Sequence, residues 1–107
     1  MADSFKLLAD GQLAASKTAM LTVGGAAEVV IQRIKIAATT GTDRTFGLYV
    51  KTSGGTSRRI TPAATPCNGD GHTNINGPIT LGNSEVLEGD ASAATELDYT
   101  VHGDEIS

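Results

Sequence analysis

The chain has 107 residues, a length that fits a single domain whose core needs neither disulfides nor a structural metal. Twelve acidic against eight basic residues give a formal net charge of −4, which argues against nucleic acid as a partner, because such binding needs a basic face. The one cysteine excludes an intrachain disulfide and indicates synthesis in a reducing cytoplasm. The first ten residues, MADSFKLLAD, contain no long apolar run, so we expect no signal peptide, transmembrane helix or membrane partner.

The N-terminal part of the chain predicts two strands separated by small residues. Residues 5–9 are typical of a first strand that Gly11 ends, and residues 1–16 together form either that strand or an N-terminal arm. Residues 17–23 alternate apolar and polar side chains, and two glycines follow them. We therefore expect a second strand and a turn at residues 23–26.

Residues 28–38 form the longest β-type run. Their apolar positions change parity near Gln32 and Arg33, which predicts either a β-bulge or a strand that passes from one sheet to the other. A helix over residues 26–38 is the competing interpretation, but the β-branched residues and the lack of an N-cap disfavour it.

The next strand, residues 44–52, follows a turn at residues 39–43 and should pair with the preceding run as a hairpin. Its side chains alternate between an apolar set and a second set that includes Tyr49 and Lys51. Because successive side chains in a strand point to opposite faces, we expect the apolar set in the core and Tyr49 on an otherwise polar outer face.

The middle of the chain predicts a turn at residues 53–55, a short strand at residues 56–61 and an unstructured loop at residues 65–71. Residues 74–81 read as a strand interrupted by Gly77 and Pro78. Since proline cannot donate to a ladder, that strand should lie at an edge or carry a bulge.

The C-terminal part predicts a strand at residues 84–88, a turn at Gly89 and Asp90, and a final strand in which Leu97, Tyr99 and Val101 alternate with polar residues. The acidic tail, residues 103–107, is expected to fray or to contact another subunit. Seven or eight short antiparallel strands without a convincing helix indicate one all-β domain over residues 1–107, a jelly-roll-like β-sandwich or a small barrel.

The sequence indicates no catalytic or metal site. Cys67, Asp70 and His72 lie close together, but a buried structural thiol and a surface histidine explain them better than a zinc site, which needs three or four ligands at defined spacing. His102 near Asp104 reads as a solvated pair. Neither a G-x-S-x-G turn nor a P-loop is present in the sequence, so we expect no enzyme activity and no cofactor.

Charge gives the candidate contacts. Arg58 and Arg59 are adjacent on a predicted strand and should face opposite ways, so they form either a carboxylate clamp on a neighbouring chain or a solvated surface pair. The middle of the chain is basic and its last third is acidic. Head-to-tail contact between identical copies would therefore bring the basic region of one copy against the acidic region of the next. The candidate partner or self contacts are Arg44, Tyr49, Lys51, Arg58, Arg59, Asp98, Asp104 and Glu105.

Four segments resemble a family of small β-sandwich structural proteins of tailed bacteriophages. They are AEVVIQRIKI at 27–36, RTFGLYV at 44–50, GGTSRRI at 54–60 and LEGDASAATELDYTVHGDE at 87–105. Two departures are a first turn reading VGGA, where the family has a VPAG-like sequence, and a longer, more polar loop at 66–72.

The resemblance implies a virion structural protein, and a capsid decoration protein is the favoured role. It would be made in the host bacterial cytoplasm, bind the major capsid protein on the outer surface of the assembled head, and associate as a homotrimer. A tail, baseplate or head-spike adaptor is the alternative. A module that binds host-surface carbohydrate is disfavoured, because it would need exposed aromatic platforms and the chain has no tryptophan.

Overall fold

The computed structural model describes residues 3–24, 28–52, 54–62 and 64–106, and side chains from residue 6 onward. Within these ranges the chain forms nine β-strands and no helix. The strands are β1 (Asp3–Gln12), β2 (Thr18–Thr22), β3 (Glu28–Ala38), β4 (Arg44–Lys51), β5 (Ser57–Arg59), β6 (Thr65–Cys67), β7 (His72–Gly82), β8 (Val86–Ala91) and β9 (Leu97–Ile106). None of the described segments is a helix long and apolar enough to cross a bilayer.

The strands form two antiparallel sheets packed face to face, which confirms the all-β sandwich. The four-stranded sheet has the order β1-β9-β3-β7. The five-stranded sheet has the order β2-β8-β4-β5, and β6 also pairs with β4. Strands β5 and β6 pair with opposite ends of β4, β5 with Tyr49 to Lys51 and β6 with Arg44 to Phe46.

The core lies between the sheets and is built from the alternate residues that face inward. Aliphatic side chains dominate it because such residues fill the space between two pleated surfaces without leaving polar groups unpaired. Fully buried members from the two sheets are Ile31, Ile34, Ile36, Leu81, Leu97 and Val101 on one side, and Phe46, Leu48 and Leu87 on the other.

The predicted change of phase in β3 is a β-bulge. The register with both neighbouring strands shifts between Ile31 and Arg33, so Gln32 is the extra residue. Ile31 and Ile34, which have opposite parity in the sequence, are therefore both completely buried on the same face. The bulge keeps all of β3 in one sheet.

Strand β7 is also irregular where it faces the bulge. Ile31 pairs with Ile79 and Arg33 with Asn76, so Gly77 and Pro78 fall in the gap opposite the bulge. Strand β7 is also the outer strand of its sheet. Pro78 thus occupies both of the settings that the sequence predicted for it, an edge strand and a bulge.

The acidic tail does not fray, although fraying was one of the two alternatives that the sequence left open. Residues 103–106 belong to β9, which pairs with β1 on one side and β3 on the other. Gly103 is buried, and a β-carbon there would collide with the carbonyl oxygen of Val30. The missing side chain lets the two backbones approach, and ladder hydrogen bonds on both sides hold the acidic segment. Ser107 lies outside the described residues.

The turn predicted at Gly89 and Asp90 is also wrong, because both residues lie inside β8. Gly89 is buried facing the core, where a β-carbon would come within 2.6 Å of the Met20 sulfur and 2.9 Å of Leu13 Cδ2. The glycine makes room for these larger side chains, and its backbone remains extended.

The predicted hairpin of residues 28–38 with residues 44–52 is wrong, because β3 pairs with β7 and β9 whereas β4 lies in the other sheet. The predicted loop at residues 65–71 begins with a strand, β6, which buries Cys67 against the core. Gly11, predicted to end the first strand, lies within β1 opposite Tyr99. The predicted turns at residues 23–26 and 53–55 lie partly outside the described residues, which omit 25–27 and Ser53.

Candidate functional site

The structure brings four of the predicted contact residues together at one edge of the five-stranded sheet. Tyr49, Lys51 and Arg59 lie on its outer face, whereas Arg58, which pairs with the inward-facing Val50, points to the opposite side of its strand. Tyr49 pairs with Arg59, and the next two positions of β4, Val50 and Lys51, pair with Arg58 and Ser57. Lys51, Arg58 and Arg59 are all exposed. The short β5 strand therefore places two arginines beside the end of β4.

Tyr49 lies on the outer face of its sheet, as predicted, but the expectation of an open polar face is wrong at this position. Only 7% of the residue is exposed. The Lys17 Nζ lies 4.5 Å from the ring centroid and the Arg59 guanidinium carbon lies 4.9 Å from it. Cations at these distances are attracted by the electron-rich face of the ring, so the two side chains cover the tyrosine and are themselves held in place.

The Tyr49 hydroxyl donates a hydrogen bond to Asp90 Oδ2 at 3.0 Å. Burial raises the pKa of the phenol above its ordinary value, because it disfavours the phenolate. The hydrogen bond to Asp90 and the charge of that carboxylate raise the pKa further, whereas Arg59 lowers it. Tyr49 thus stays protonated and acts as a fixed link between β4 and β8.

A second hydrogen bond crosses the same surface. The Ser57 hydroxyl donates to Glu88 Oε1, joining β5 to β8 across β4. The two carboxylates on this face, Glu88 and Asp90, are therefore engaged by neutral hydroxyl groups. The exposed charge that remains is positive. We call this area the basic surface; it consists of Lys17, Lys51 and Arg59 on the outer face, with Arg58 at the adjoining edge of β5.

The remaining predicted contact residues lie elsewhere. Arg44, at the other end of β4, makes a bidentate pair with Glu96, with Nε to Oε1 at 2.8 Å and Nη2 to Oε2 at 3.0 Å. The hydrogen bond from Arg44 is the main reason that the pKa of Glu96 lies below its ordinary value, and a bond from Thr40 also lowers it. Arg44 therefore has a partner within its own chain.

The predicted acidic contacts are spread along β9 on the four-stranded sheet. Asp104 accepts a 3.4 Å hydrogen bond from Gln32, and Glu105 forms a 3.0 Å ion pair with Lys6. The Asp98 Oδ1 atom is buried and has no hydrogen-bond partner among the described residues. These carboxylates do not join the basic surface of the same molecule.

Sequence reasoning missed Lys17, Glu88 and Asp90. Asp90 was assigned to a turn, which concealed the alternation of β8 that places it on the same face as Glu88. Lys17 reaches Tyr49 from a segment more than thirty positions away in the sequence, and nothing in the local pattern around it indicates that contact.

The loop that carries Cys67 and His72 holds no metal-type cluster. In the described part of the chain no group of three or more His, Cys, Asp or Glu side chains converges. Cys67 is completely buried, with its sulfur 3.6 Å from the carbonyl oxygen of Ile36, and burial raises the pKa of its thiol. His72 is exposed at the start of β7.

No protein-family model matches the sequence, and no curated protein matches it. Among solved structures, the core of Drosophila NLP, described for its pentamer formation and histone binding, has a TM-score of 0.60 at 16% identity. The alignment covers 95% of this chain and 100% of that chain.

Two chains from infectious bursal disease virus structures also match. The Gt strain chain has a TM-score of 0.50 at 10% identity, and the Gx strain chain a TM-score of 0.51 at 12% identity. Each alignment covers 97% of this chain but only 32% and 30% of the respective viral chain. These likenesses establish the fold alone. The same sandwich occurs in chains of virus structures and in the NLP core.

Proposed function

We propose that this protein is a virion structural protein, and more specifically a decoration protein that binds the outer surface of an assembled bacteriophage head. The observation that carries the proposal is the sandwich itself. The alignment with chains of virus structures covers 97% of this chain. The sequence resemblance to phage structural proteins supports the same role. On this proposal the protein acts by surface contact and performs no catalysis.

The basic surface is the proposed contact with the major capsid protein. Lys17 and Arg59 are already packed against Tyr49, so less side-chain freedom is lost when they bind a partner. Arginine suits this role because its planar guanidinium can bind a carboxylate through two hydrogen bonds. An acidic patch on the shell, repeated at every capsomer, would fit this surface.

Self-association as a homotrimer belongs to the same proposal. Several copies joined together would contact neighbouring capsomers at once, and the high effective concentration of the second contact would make weak individual contacts hold firmly. The acidic residues of β9 are the proposed partners of the basic surface between copies. Because the NLP core is described as forming a pentamer, light scattering on the purified protein must decide between three and five subunits.

Binding to undecorated heads of the parent phage tests the proposal. We expect saturable co-sedimentation at many copies per shell. The double variant Lys51→Gln, Arg58→Gln should bind about tenfold more weakly, because two charge-assisted contacts are lost. The charge-conserving control, Lys51→Arg with Arg58→Lys, should retain most of the binding.

Other outcomes would change the assignment. Failure of the wild-type protein to bind heads would overturn the decoration role, and labelling of one vertex or of the tail on intact virions would favour the adaptor alternative. Equal binding by both double variants would exclude the basic surface as the contact.

A further inference from the structure

The outer face of the four-stranded sheet, opposite the core, contains a shallow groove along β3 and β9. The groove has a volume of about 420 Å³ and is lined by Arg33, Lys35, Ala37, Asp98, Thr100 and His102, together with Tyr99. Ala37 on β3 and Thr100 on β9 have short side chains, whereas Arg33 and Lys35 on β3 have long ones. A depression therefore forms between two strands in the middle of the sheet.

The cations of this groove have no acidic neighbour at their own level of the sheet. Arg33 lies in register between His102 on β9 and Asn76 on β7, and Lys35 lies between Thr100 and Asn74. Among the described residues, neither cation takes part in an ion pair. By contrast, Lys6 and Arg44 each bind a glutamate.

This arrangement is unusual for a chain with twelve carboxylates and eight cations. Opposite charges placed across neighbouring strands stabilise a sheet, so a central strand would ordinarily set acids against its lysines and arginines. Here the neighbours of Arg33 can donate hydrogen bonds, since asparagine has an amide NH₂ and imidazole an N–H in either protonation state. The groove therefore presents several donors at one end.

At the other end of the groove a hydrogen-bond acceptor lacks a donor. Asp98 Oδ1 is buried against the sheet and lacks a donor among the described residues. Asp98 is two positions from Thr100, which is the partner of Lys35, so the two ends are separated by about 7 Å along the strand. Asp98 itself lines the groove, so its carboxylate can accept a hydrogen bond from an N–H group bound there.

We infer that this groove binds an acidic peptide segment of a partner protein. A glutamate or aspartate side chain of the segment accepts hydrogen bonds from Arg33 and pairs with Lys35, and a backbone N–H of the same segment donates to the Asp98 carboxylate where it lines the groove. The spacing suits an extended peptide, since about two residues span 7 Å.

Nucleic acid fits the groove less well. A polynucleotide would offer a phosphate at every step and gain affinity by neutralising many of them. The groove has two permanent cations, and a second depression of about 310 Å³ continues it past Asp98 to Asp10 on β1. Those two carboxylates would repel a continuous polyanion but would accept amide donors from a peptide.

The inference does not rest on the proposed virion role, and Arg33 and Lys35 lie on a different sheet from the basic surface. It is tested with fluorescein-labelled eight-residue Gly/Ser peptides that carry two glutamates, two glutamines or two lysines, and with an oligothymidylate of the same length. Fluorescence anisotropy measures binding to the full chain, and amide chemical shifts locate it.

We expect the glutamate peptide to bind in preference to the other three probes and to perturb the amides of β3 and β9. The double variant Arg33→Gln, Lys35→Gln should bind it about tenfold more weakly. Arg33→Lys with Lys35→Arg, which conserves the charge, should bind within about threefold of wild type, and so should Lys51→Gln with Arg58→Gln on the other sheet.

Three results would overturn the inference. They are absence of glutamate-peptide binding at millimolar concentration, an equal loss in the Lys51, Arg58 double variant, and tighter binding of the oligothymidylate. Circular dichroism of each variant checks that it is folded, and the shift map of the wild-type protein decides the location without any variant.

Discussion

The guanidinium of Arg59 packs on the ring of Tyr49, with 4.9 Å between the guanidinium carbon and the ring centroid. The pair joins neighbouring strands on the outer face of a sheet, a position at which aromatic residues are often exposed. Lys17 and Arg59 cover the tyrosine on the outer face, so substitutions in this cluster test its contribution to stability without changing the core.

The link between Tyr49 and Asp90 should behave as one unit in unfolding experiments. Tyr49→Phe and Asp90→Ala should each lower the free energy of unfolding by about 1 kcal/mol, because each removes the same hydrogen bond. Urea denaturation of the double variant should give less than the sum of the two losses. Tyr99→Phe is the control, since its hydroxyl lies a full 3.5 Å from the Met20 carbonyl oxygen. Strict additivity would show that the Tyr49 link is unimportant.

Alkaline conditions should remove part of the stability that Tyr49 provides. Its folded pKa lies above the ordinary value of 10.0, so the neutral phenol stabilises the folded state fully below pH 10.0 and this contribution is lost as the pH rises through the folded pKa. The difference in unfolding free energy between wild type and Tyr49→Phe should therefore shrink above pH 10.0. Tyrosinate absorption measured alongside should show a late-titrating group that the variant lacks.

Acidic conditions should act through Glu96. Its folded pKa lies below the ordinary 4.5, chiefly because Arg44 donates hydrogen bonds to the carboxylate. The resulting stability is complete above pH 4.5 and is lost as the pH falls through the folded pKa. Urea midpoints measured against pH should fall less steeply for Glu96→Gln than for wild type. The control is Glu105→Gln, which removes the more exposed ion pair with Lys6 and should lower the urea midpoint at neutral pH by less than Glu96→Gln does.

Gly103 should tolerate no side chain. Alanine there would collide with the Val30 carbonyl oxygen, and separating two paired backbones should lower the free energy of unfolding by about 1–3 kcal/mol. Gly24→Ala is the matched control because nothing lies within 4 Å of a β-carbon at that position. Equal thermal midpoints for the two variants would contradict the close approach of β9 to β3.

Cys67 should be protected from thiol reagents in the folded protein. The residue is completely buried and its thiol pKa is raised by burial, so little thiolate is accessible at neutral pH. Ellman's reagent should modify it at the rate at which the protein opens, and quickly in urea. Rapid modification without denaturant would show that β6 is detached from the core.

Local patterns were sufficient to predict an all-β sandwich but not the pairing of its strands, since β3 and β4 were expected to form a hairpin and lie in different sheets. The change of parity in β3 predicted either a bulge or a passage between sheets, and the bulge is correct because an extra residue keeps Ile31 and Ile34 on one face. The proline in β7 predicted an edge strand or a bulge because proline cannot donate a hydrogen bond to a neighbouring strand, and β7 is an edge strand.

Predictions failed where a distant element decides the conformation. Gly89 and Asp90 are typical turn residues, yet the bulk of Met20 makes a glycine necessary within a strand. Residues 103–106 look like a charged tail, and only pairing with both β1 and β3 makes them a strand. The covering of Tyr49 by Lys17 likewise depends on tertiary packing, so the sequence identified the tyrosine and its arginine neighbours but not the cluster around them.

The position of β9 between β1 and β3 has a consequence for synthesis on the ribosome. Strand β1 has no direct pairing with β3 or β7, so the four-stranded sheet cannot close until residues 97–106 have been translated and have left the exit tunnel. Until then β1 and β3 each expose a strand edge that could pair with another nascent chain. A chaperone that covers these edges until β9 has emerged would therefore raise the yield of native protein.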